Sequence, residues 1–306
     1  MGWWERALDA AGVADPVLRA DFGRQREEVT AYRREAAMAT GLLLPGRMVP
    51  PVMAATAFMH RTDSLLDSGP ADRGAREEAF RRWRGQVLDG LAAGRSEAPE
   101  LRPLLHTVAA HPVLRDRIPE YLDAAAVELD FTGFATEADY QRYVDAYSLP
   151  GFMAVAALLG PRGDQTAYRA ACRTYIDAAQ RLDFVNDLAE DLGEGRLALP
   201  AEALARHGVE RADLEAGRDL PGVRGLLGEA LDLAEVTLAE GAAVVELVPE
   251  ANRPMVRGLI GLDRLTLAAA RRDPAALLRR SARPSVPGAL RLLAGEYRRA
   301  RRLRRR

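Results

Sequence analysis

The chain has 306 residues, 48% of them hydrophobic, and its 43 basic and 44 acidic residues leave a formal net charge of −1. This length and composition fit a globular protein with a deep core, and the near-zero charge gives no reason to expect a polyanionic partner. Every basic residue is arginine, which excludes a Schiff-base lysine, pyridoxal phosphate attachment and the usual P-loop. The single cysteine, Cys172, excludes internal disulfides and cysteine-rich metal sites.

Long amphipathic segments predict an all-α fold. Each has apolar residues at i, i+3, i+4 and i+7, with arginines and carboxylates between them. Prolines and glycines separate the segments, and alternating strand-like runs are missing. The predicted helices span residues 73–91, 111–129, 137–159, 164–192, 223–247 and 251–270. Several would be about 30 Å long, and helices of that length can surround a central cavity.

The chain is predicted to form a single domain over residues 1–306, because no low-complexity linker divides it. The N-terminus lacks an apolar signal core, and the longest apolar run is about twelve residues, short of the roughly 20 that span a bilayer. We therefore expect a cytoplasmic protein without a transmembrane segment. The arginine-rich tail at 298–306 is interpreted as a solvated helix end, and we expect no nucleic-acid partner. The oligomeric state stays open.

Two acidic stretches are the candidates for chemistry. Asp63 and Asp67 lie four residues apart, and Asp183, Asp187 and Asp191 form a stripe at i, i+4 and i+8. Like charges at this spacing destabilise an isolated helix by roughly a few tenths of a kcal/mol per pair, so a cation should offset the repulsion. Magnesium prefers hard oxygen ligands and bridges carboxylates to phosphate oxygens. A lone pair of this kind is more often an exposed helix face, but two such stretches in apolar helices indicate a magnesium site.

These stretches resemble those of the squalene and phytoene synthase family. The segment HRTDSLLDSGP is similar to the family's first aspartate-rich motif, and QRLDFVNDLAEDLGEGRLALP to its second. Between them, residues 128–151 are similar to the family's middle segment. The resemblance covers about residues 41–200, with a weaker echo to about 293, and residues 1–40 form divergent N-terminal helices. It implies an all-α isoprenoid synthase fold in which Mg²⁺ holds an allylic diphosphate between the two motifs.

The resemblance also implies roles for single residues. Asp63 and Asp67 match the first metal-binding pair, and Asp187 and Asp191 match the second. Arg61 and Arg196 match basic positions expected near the diphosphate, and Gln180 matches a polar position on the helix of the second motif. Asn186, which departs from the pattern, is a further candidate for substrate binding.

Two further residues are predicted to take part in catalysis. His60, one turn before Asp63, is a candidate general base or diphosphate donor because the ordinary pKa of histidine is near neutrality; a structural histidine is equally open. Asp183, one turn before Asp187, is a candidate further ligand or base.

The allylic cation left after diphosphate departure needs a dry pocket lined by aromatic faces. Ordinary core packing is the competing interpretation for each of the rings that could line it: Phe58, Tyr143, Tyr147, Phe152 and Phe184.

Several positions differ from the family pattern, and most of the differences remove an arginine. His60, Gly133, Asn186 and Glu194 stand where arginine is common, while Asp183 replaces asparagine and Ala198 replaces tyrosine. Together these changes remove positive charge, and we place the loss around the second of the two diphosphates that the family's head-to-head reaction requires.

We therefore predict a prenyltransferase that moves a dimethylallyl group from its diphosphate to a small electron-rich aromatic acceptor such as a carbazole. The resemblance in this respect is to the squalene-synthase-like aromatic prenyltransferases of actinomycete secondary metabolism. The alternative is head-to-head condensation of two farnesyl or geranylgeranyl diphosphates. A non-catalytic assembly subunit is a third hypothesis, and the intact aspartate pairs count against it.

Overall fold

A computed structural model of the chain describes residues 2–32, 34–66 and 72–305, and over these ranges the predicted all-α architecture is confirmed. The α-helices of the described residues, labelled α1 to α17 in chain order, are Trp3–Ala10, Pro16–Tyr32, Arg34–Leu43, Val49–Leu66, Arg73–Ala93, Arg102–Ala110, Leu114–Ala125, Glu137–Tyr143, Leu149–Ala156, Thr166–Asn186, Leu188–Gly193, Ala201–Arg206, Arg211–Glu215, Pro221–Gly241, Val244–Leu247, Arg253–Ala270 and Val286–Leu303. Short 3₁₀ segments join several of them, and a π-helical turn, Val144–Ser148, links α8 to α9.

One hydrophobic cluster joins most of these helices into a common core. The helix α10 packs along α14, and α4 packs against α2, α5 and α6. Gly241, at the end of α14, permits a close approach of α14 to α10, since a Cβ atom there would lie 2.8 Å from the Cα atom of Tyr175. The helices that carry the two acidic stretches, α4 and α10, are therefore held by the core on more than one side.

The prediction of one continuous helix over 164–192 is wrong. The helix α10 ends at Asn186, Asp187 adopts φ −96° and ψ 12°, and α11 begins at Leu188. At this break the side chains of Asn186 and Asp187 bind residues 282 and 281 of the C-terminal segment. The second aspartate stripe is therefore divided between two helices, with Asp183 on α10 and Asp191 on α11.

Gly133 makes an isolated parallel bridge to Leu197, just after α11. Its φ of 145° lies in the region that favours glycine, and a Cβ atom would lie 2.4 Å from the carbonyl oxygen of Leu197. An arginine, which the family commonly has here, does not fit this backbone. The departure at Gly133 thus has a local structural reason.

We expect Gly241→Ala to lower the free energy of unfolding by about 1–3 kcal/mol, because the added methyl group overpacks the contact between α10 and α14. The matched control is Gly228→Ala on the same helix, where a Cβ atom meets nothing within 4 Å; it should raise stability by about 0.5–1 kcal/mol through helix propensity. Urea denaturation followed by circular dichroism measures both. Equal effects of the two substitutions would contradict the close packing.

Candidate active site

The first motif is positioned by a buried turn of α4. Thr62 accepts a hydrogen bond from Nε1 of Trp83 at 3.0 Å and donates one to the carbonyl of Phe58 at 2.9 Å. This fixes the rotation of α4, so that the half-buried Asp63 faces the hydroxyl groups of two tyrosines. Tyr121 donates to Oδ1 of Asp63, and Tyr147 donates to the same oxygen at 3.2 Å. Asp67, the second residue of the predicted pair, lies outside the described residues.

The π-helical turn between α8 and α9 connects the two motif helices. Tyr147 reaches Asp63 on α4, and the next residue, Ser148, donates a 3.1 Å hydrogen bond to Oε1 of Gln180 on α10. π-Turns within helices are frequent at functional sites, because the wider turn redirects side chains. Gln180 lies two helical turns before Asp187. The adjacent residues Tyr147 and Ser148 therefore connect the first motif to α10, the helix that leads into the second motif.

The second motif is held by the segment that follows α16. Oδ1 of Asp187 accepts a 3.0 Å hydrogen bond from Ser281, and Oδ1 of Asn186 accepts one from the backbone N–H of Ala282 at 2.8 Å. Both contacts join residues more than ninety positions apart in the chain. No sequence motif marks Ser281, and for this reason the sequence did not identify it.

Asp191 is the buried carboxylate of the second motif. Burial raises the pKa of Asp191 to about 6, with Asp187 and Glu194 adding to the effect, although Arg196 at 3.3 Å acts in the opposite direction. Arg196 is shared with Glu194, which it contacts at 2.8 Å. One arginine therefore leaves a local excess of negative charge. The exposed Asp183 lies on the other side of the break, at the end of α10.

A basic cavity adjoins the second motif. It has a volume of about 550 Å³, and its walls include Ser281 together with Arg272, Arg280 and Arg283, against one carboxylate, Asp273. Because Ser281 also donates a hydrogen bond to Asp187, this residue connects the cavity to the second motif. Three cations around one opening favour a multiply charged anion. These arginines were not identified from the sequence, since they lie well beyond the two motifs.

The predicted aromatic residues fall into separate groups. Tyr143 and Phe184 belong to a cluster with Phe131, Phe134 and Tyr140. The Tyr143 ring lies 5.1 Å from that of Tyr147, so this aromatic cluster extends to Asp63.

The other two predicted rings lie outside this cluster, although Phe58 is linked to Tyr147 through the ring of Tyr121. Phe58 is buried and contacts Trp83 and Tyr121. Phe152 packs 5.6 Å from Tyr175, whose hydroxyl donates to Asp263 at 2.7 Å. Burial, with the charges of Asp263 and Asp183, holds the pKa of Tyr175 well above its usual value.

The remaining predicted residues lie on α4. His60 stacks on Tyr32, with ring centroids 3.5 Å apart, and its Nδ1 is 3.4 Å from the hydroxyl of Ser64. Arg61 is exposed, and its guanidinium lies 5.0 Å above the ring of Trp83 and 4.0 Å from Glu100. Its contacts are with α5 and the segment before α6.

The described residues contain no group of three or more His, Cys, Asp or Glu side chains arranged to hold a metal ion. The chemistry of the donor set nevertheless fits Mg²⁺. Asp63, Asp187 and Asp191 offer hard oxygen ligands, and Arg196, the arginine paired with Asp191, is shared with Glu194.

A family model described as squalene/phytoene synthase matches residues 29–289. The chain belongs to this family. A bifunctional protein CrtB/UppS of Streptomyces coelicolor is 32% identical over 212 residues, which are 69% of this chain and 37% of that protein. Phytoene synthase 3 of Zea mays is 26% identical over 254 residues, 80% of this chain and 58% of that protein. The chain thus spans less than two thirds of either relative.

Solved structures agree on the fold. A dehydrosqualene synthase aligns with a TM-score of 0.80 at 21% identity, covering 93% of this chain and 98% of that one. The squalene synthase HpnC of Alicyclobacillus acidocaldarius aligns with a TM-score of 0.75 at 23% identity, covering 86% and 97%. The predicted family and the isoprenoid synthase fold are confirmed. The names of these proteins include phytoene, dehydrosqualene and squalene synthases, and none is a carbazole prenyltransferase.

None of the helices in the described ranges combines the length and the apolar composition needed to cross a bilayer.

We expect Ser281→Ala to weaken the Mg²⁺-dependent binding of inorganic diphosphate by about 10-fold or more, because residues that orient a ligating carboxylate have effects of this size. Isothermal titration with diphosphate, with and without Mg²⁺, measures it. The matched control is Ser96→Ala, whose hydroxyl accepts a bond from the backbone of Ala98 away from the acidic motifs. Unchanged affinity in Ser281→Ala would contradict a positioning role for this hydroxyl.

Proposed function

We propose that the chain is a magnesium-dependent enzyme that ionises an allylic prenyl diphosphate and joins two prenyl groups head to head, with release of diphosphate. The observation that supports this proposal is the link from Asp63 through Tyr147 and Ser148 to Gln180, which joins the first motif to the helix that leads into the second. The similarity to phytoene, dehydrosqualene and squalene synthases supports the head-to-head reaction.

In this proposal Asp63, Asp187 and Asp191 hold magnesium, and Asp67 completes the first pair. When bound, magnesium neutralises the charge of the leaving diphosphate and so favours its departure. Tyr121 and Tyr147 hold the Asp63 carboxylate by their hydroxyl groups. Ser281 holds that of Asp187.

The basic cavity would stabilise the diphosphate as it leaves. Arg272, Arg280 and Arg283 would accept the negative charge of a diphosphate as it leaves the second motif, because Ser281 lies both at the cavity wall and beside Asp187. Fixed cations aimed at a developing anion stabilise the transition state without further reorganisation.

The aromatic cluster would serve the prenyl cation. Tyr147 lies between Asp63 and Tyr143, and Phe184 belongs to the same cluster. Aromatic faces stabilise a carbocation by cation–π attraction and exclude water that would quench it. Neighbouring aromatic rings that begin beside the diphosphate site would guide the cation toward the second prenyl group.

Transfer to an aromatic acceptor is the second candidate, and one observation favours it. Asn186 stands where the family commonly has an arginine, and its side-chain oxygen is occupied by the backbone of Ala282. The backbone at Gly133 excludes a second such arginine. A site with less positive charge suits one diphosphate better than two, and the acceptor would then be a carbazole-like ring with a dimethylallyl donor.

Incubation with Mg²⁺ and one donor at a time decides between the candidates. We expect farnesyl or geranylgeranyl diphosphate alone to give a C30 or C40 product, with two diphosphates released per molecule, as measured by mass spectrometry and a phosphate assay. Dimethylallyl diphosphate that reacts only when a carbazole is added would contradict the head-to-head proposal and support the second candidate.

We expect Asp63→Ala and Asp187→Ala each to reduce turnover by more than about 100-fold, because each removes charge that the leaving group requires. Their far-UV circular dichroism should match that of the unaltered protein. Asp123→Ala, which removes an exposed carboxylate paired with Arg84, serves as control and should retain full turnover. Full turnover in Asp63→Ala or Asp187→Ala would remove that residue from the mechanism.

A further inference from the structure

A buried tyrosine from outside both motifs contacts the first motif. Tyr121 lies on α7, 58 residues from Asp63 in the chain, and only 1% of it is exposed. Its hydroxyl donates to Oδ1 of Asp63, the same oxygen that accepts the hydroxyl of Tyr147. A buried tyrosine usually finds a partner for its hydroxyl group, and the partner here is a carboxylate of the candidate active site.

Gly151 brings the backbone of α9 against the ring of Tyr121. A Cβ atom at Gly151 would lie 3.1 Å from Cε2 and 3.4 Å from Cδ2 of this ring. Gly151 lies inside α9, where glycine is unfavourable relative to alanine and the helical backbone would accept a side chain. The ring therefore accounts for the glycine, and no side chain separates α9 from Tyr121.

Phe58 contacts the same ring from α4. The centroids of the two rings are 6.0 Å apart and their planes meet at 83°, an edge-to-face contact. Phe58 is buried and precedes Asp63 by five residues on the same helix. The Tyr121 ring is thus packed against both α9 and the helix that carries Asp63, which restricts its hydroxyl to one position.

We propose that Tyr121, held by Gly151 and Phe58, makes the first motif selective for Mg²⁺ over Ca²⁺. Mg²⁺ demands near-ideal octahedral geometry at short distances, whereas Ca²⁺ accepts flexible coordination at longer ones. A carboxylate that two hydroxyl groups hold in one orientation meets the first demand and cannot shift to follow the larger ion. Tyr121 and Gly151 are positioning residues. The inference rests on the proposed function, in which Asp63 holds magnesium.

The second hydroxyl group supports the same orientation. Burial, together with Tyr121 and the charge of Asp63, holds the pKa of Tyr147 well above its usual value, so this hydroxyl also remains a donor at neutral pH. The second motif differs, because Asp187 accepts the hydroxyl of Ser281 from a segment between helices. We therefore assign the selectivity to the first motif.

Displacement of Mn²⁺ measures the selectivity without turnover. Free Mn²⁺ gives a paramagnetic resonance signal that is lost on binding, so titration with Mg²⁺ or Ca²⁺ in the presence of farnesyl thiodiphosphate compares the two ions. We expect the unaltered protein to prefer Mg²⁺ and Tyr121→Phe to reduce this preference about 10-fold. Core packing alone would require the ring and not the hydroxyl, so an unchanged preference in Tyr121→Phe would overturn the proposal.

Tyr168→Phe is the matched control. Tyr168 is similarly buried, and its hydroxyl donates to the carbonyl of Ala156 at 2.9 Å. This variant should keep the preference for Mg²⁺, and a loss equal to that of Tyr121→Phe would overturn the proposal.

Asp63→Ala separates this inference from the proposed function. If Asp63→Ala loses bound Mn²⁺ while Tyr121→Phe keeps the full preference, the selectivity is wrong and the proposed function stands. If Asp63→Ala binds Mn²⁺ as the unaltered protein does, both are wrong.

Gly151→Ala tests the positioning of the ring. The added methyl group should displace Tyr121 and reduce the preference for Mg²⁺ about 10-fold, whereas Gly23→Ala on α2, where a Cβ atom meets nothing within 4 Å, should not. The double variant Gly151→Ala/Tyr121→Phe should equal Tyr121→Phe alone, because both changes act through one hydroxyl. Additive losses would overturn the role of Gly151. Circular dichroism checks the fold of each variant, and Tyr121→Phe decides the selectivity if Gly151→Ala does not fold.

Discussion

Carboxylates that meet inside a helical bundle repel one another unless hydrogen-bond donors orient them and cations balance them. In this chain the donors come from distant elements. Tyr121 and Tyr147 donate to Asp63, and Ser281 donates to Asp187. Only Arg196 among the described side chains forms an ion pair with Asp191. The bundle thus orients Asp63 and Asp187 with neutral hydroxyl groups from elements that are distant in the chain.

Two of the departures from the family pattern have a structural explanation. Gly133 occupies a backbone that no larger residue can adopt beside Leu197. Asn186 is bound to the backbone of Ala282, which holds the C-terminal segment on the second motif. The basic cavity beside that segment supplies arginines from another part of the chain. Arginines of this later segment thus lie beside the second motif, so the loss of arginines within the motifs does not by itself decide between one diphosphate and two.

The helices and the family could be predicted from the sequence because apolar periodicity and the motif spacing are local features. The break at Asp187 could not, since it depends on Ser281 and Ala282, and nothing in the local pattern shows such a long-range contact. The same reason applies to Tyr121 and Ser148, which lie outside both motifs.

Crystals grown with Mn²⁺ and a non-hydrolysable farnesyl thiodiphosphate offer the most direct view of the shared centre. Anomalous scattering should locate metal ions on Asp63 and on Asp187, with the same diphosphate bound to both. Metal on only one of these aspartates, or a diphosphate bound away from both, would contradict the idea that the two motifs act on one leaving group.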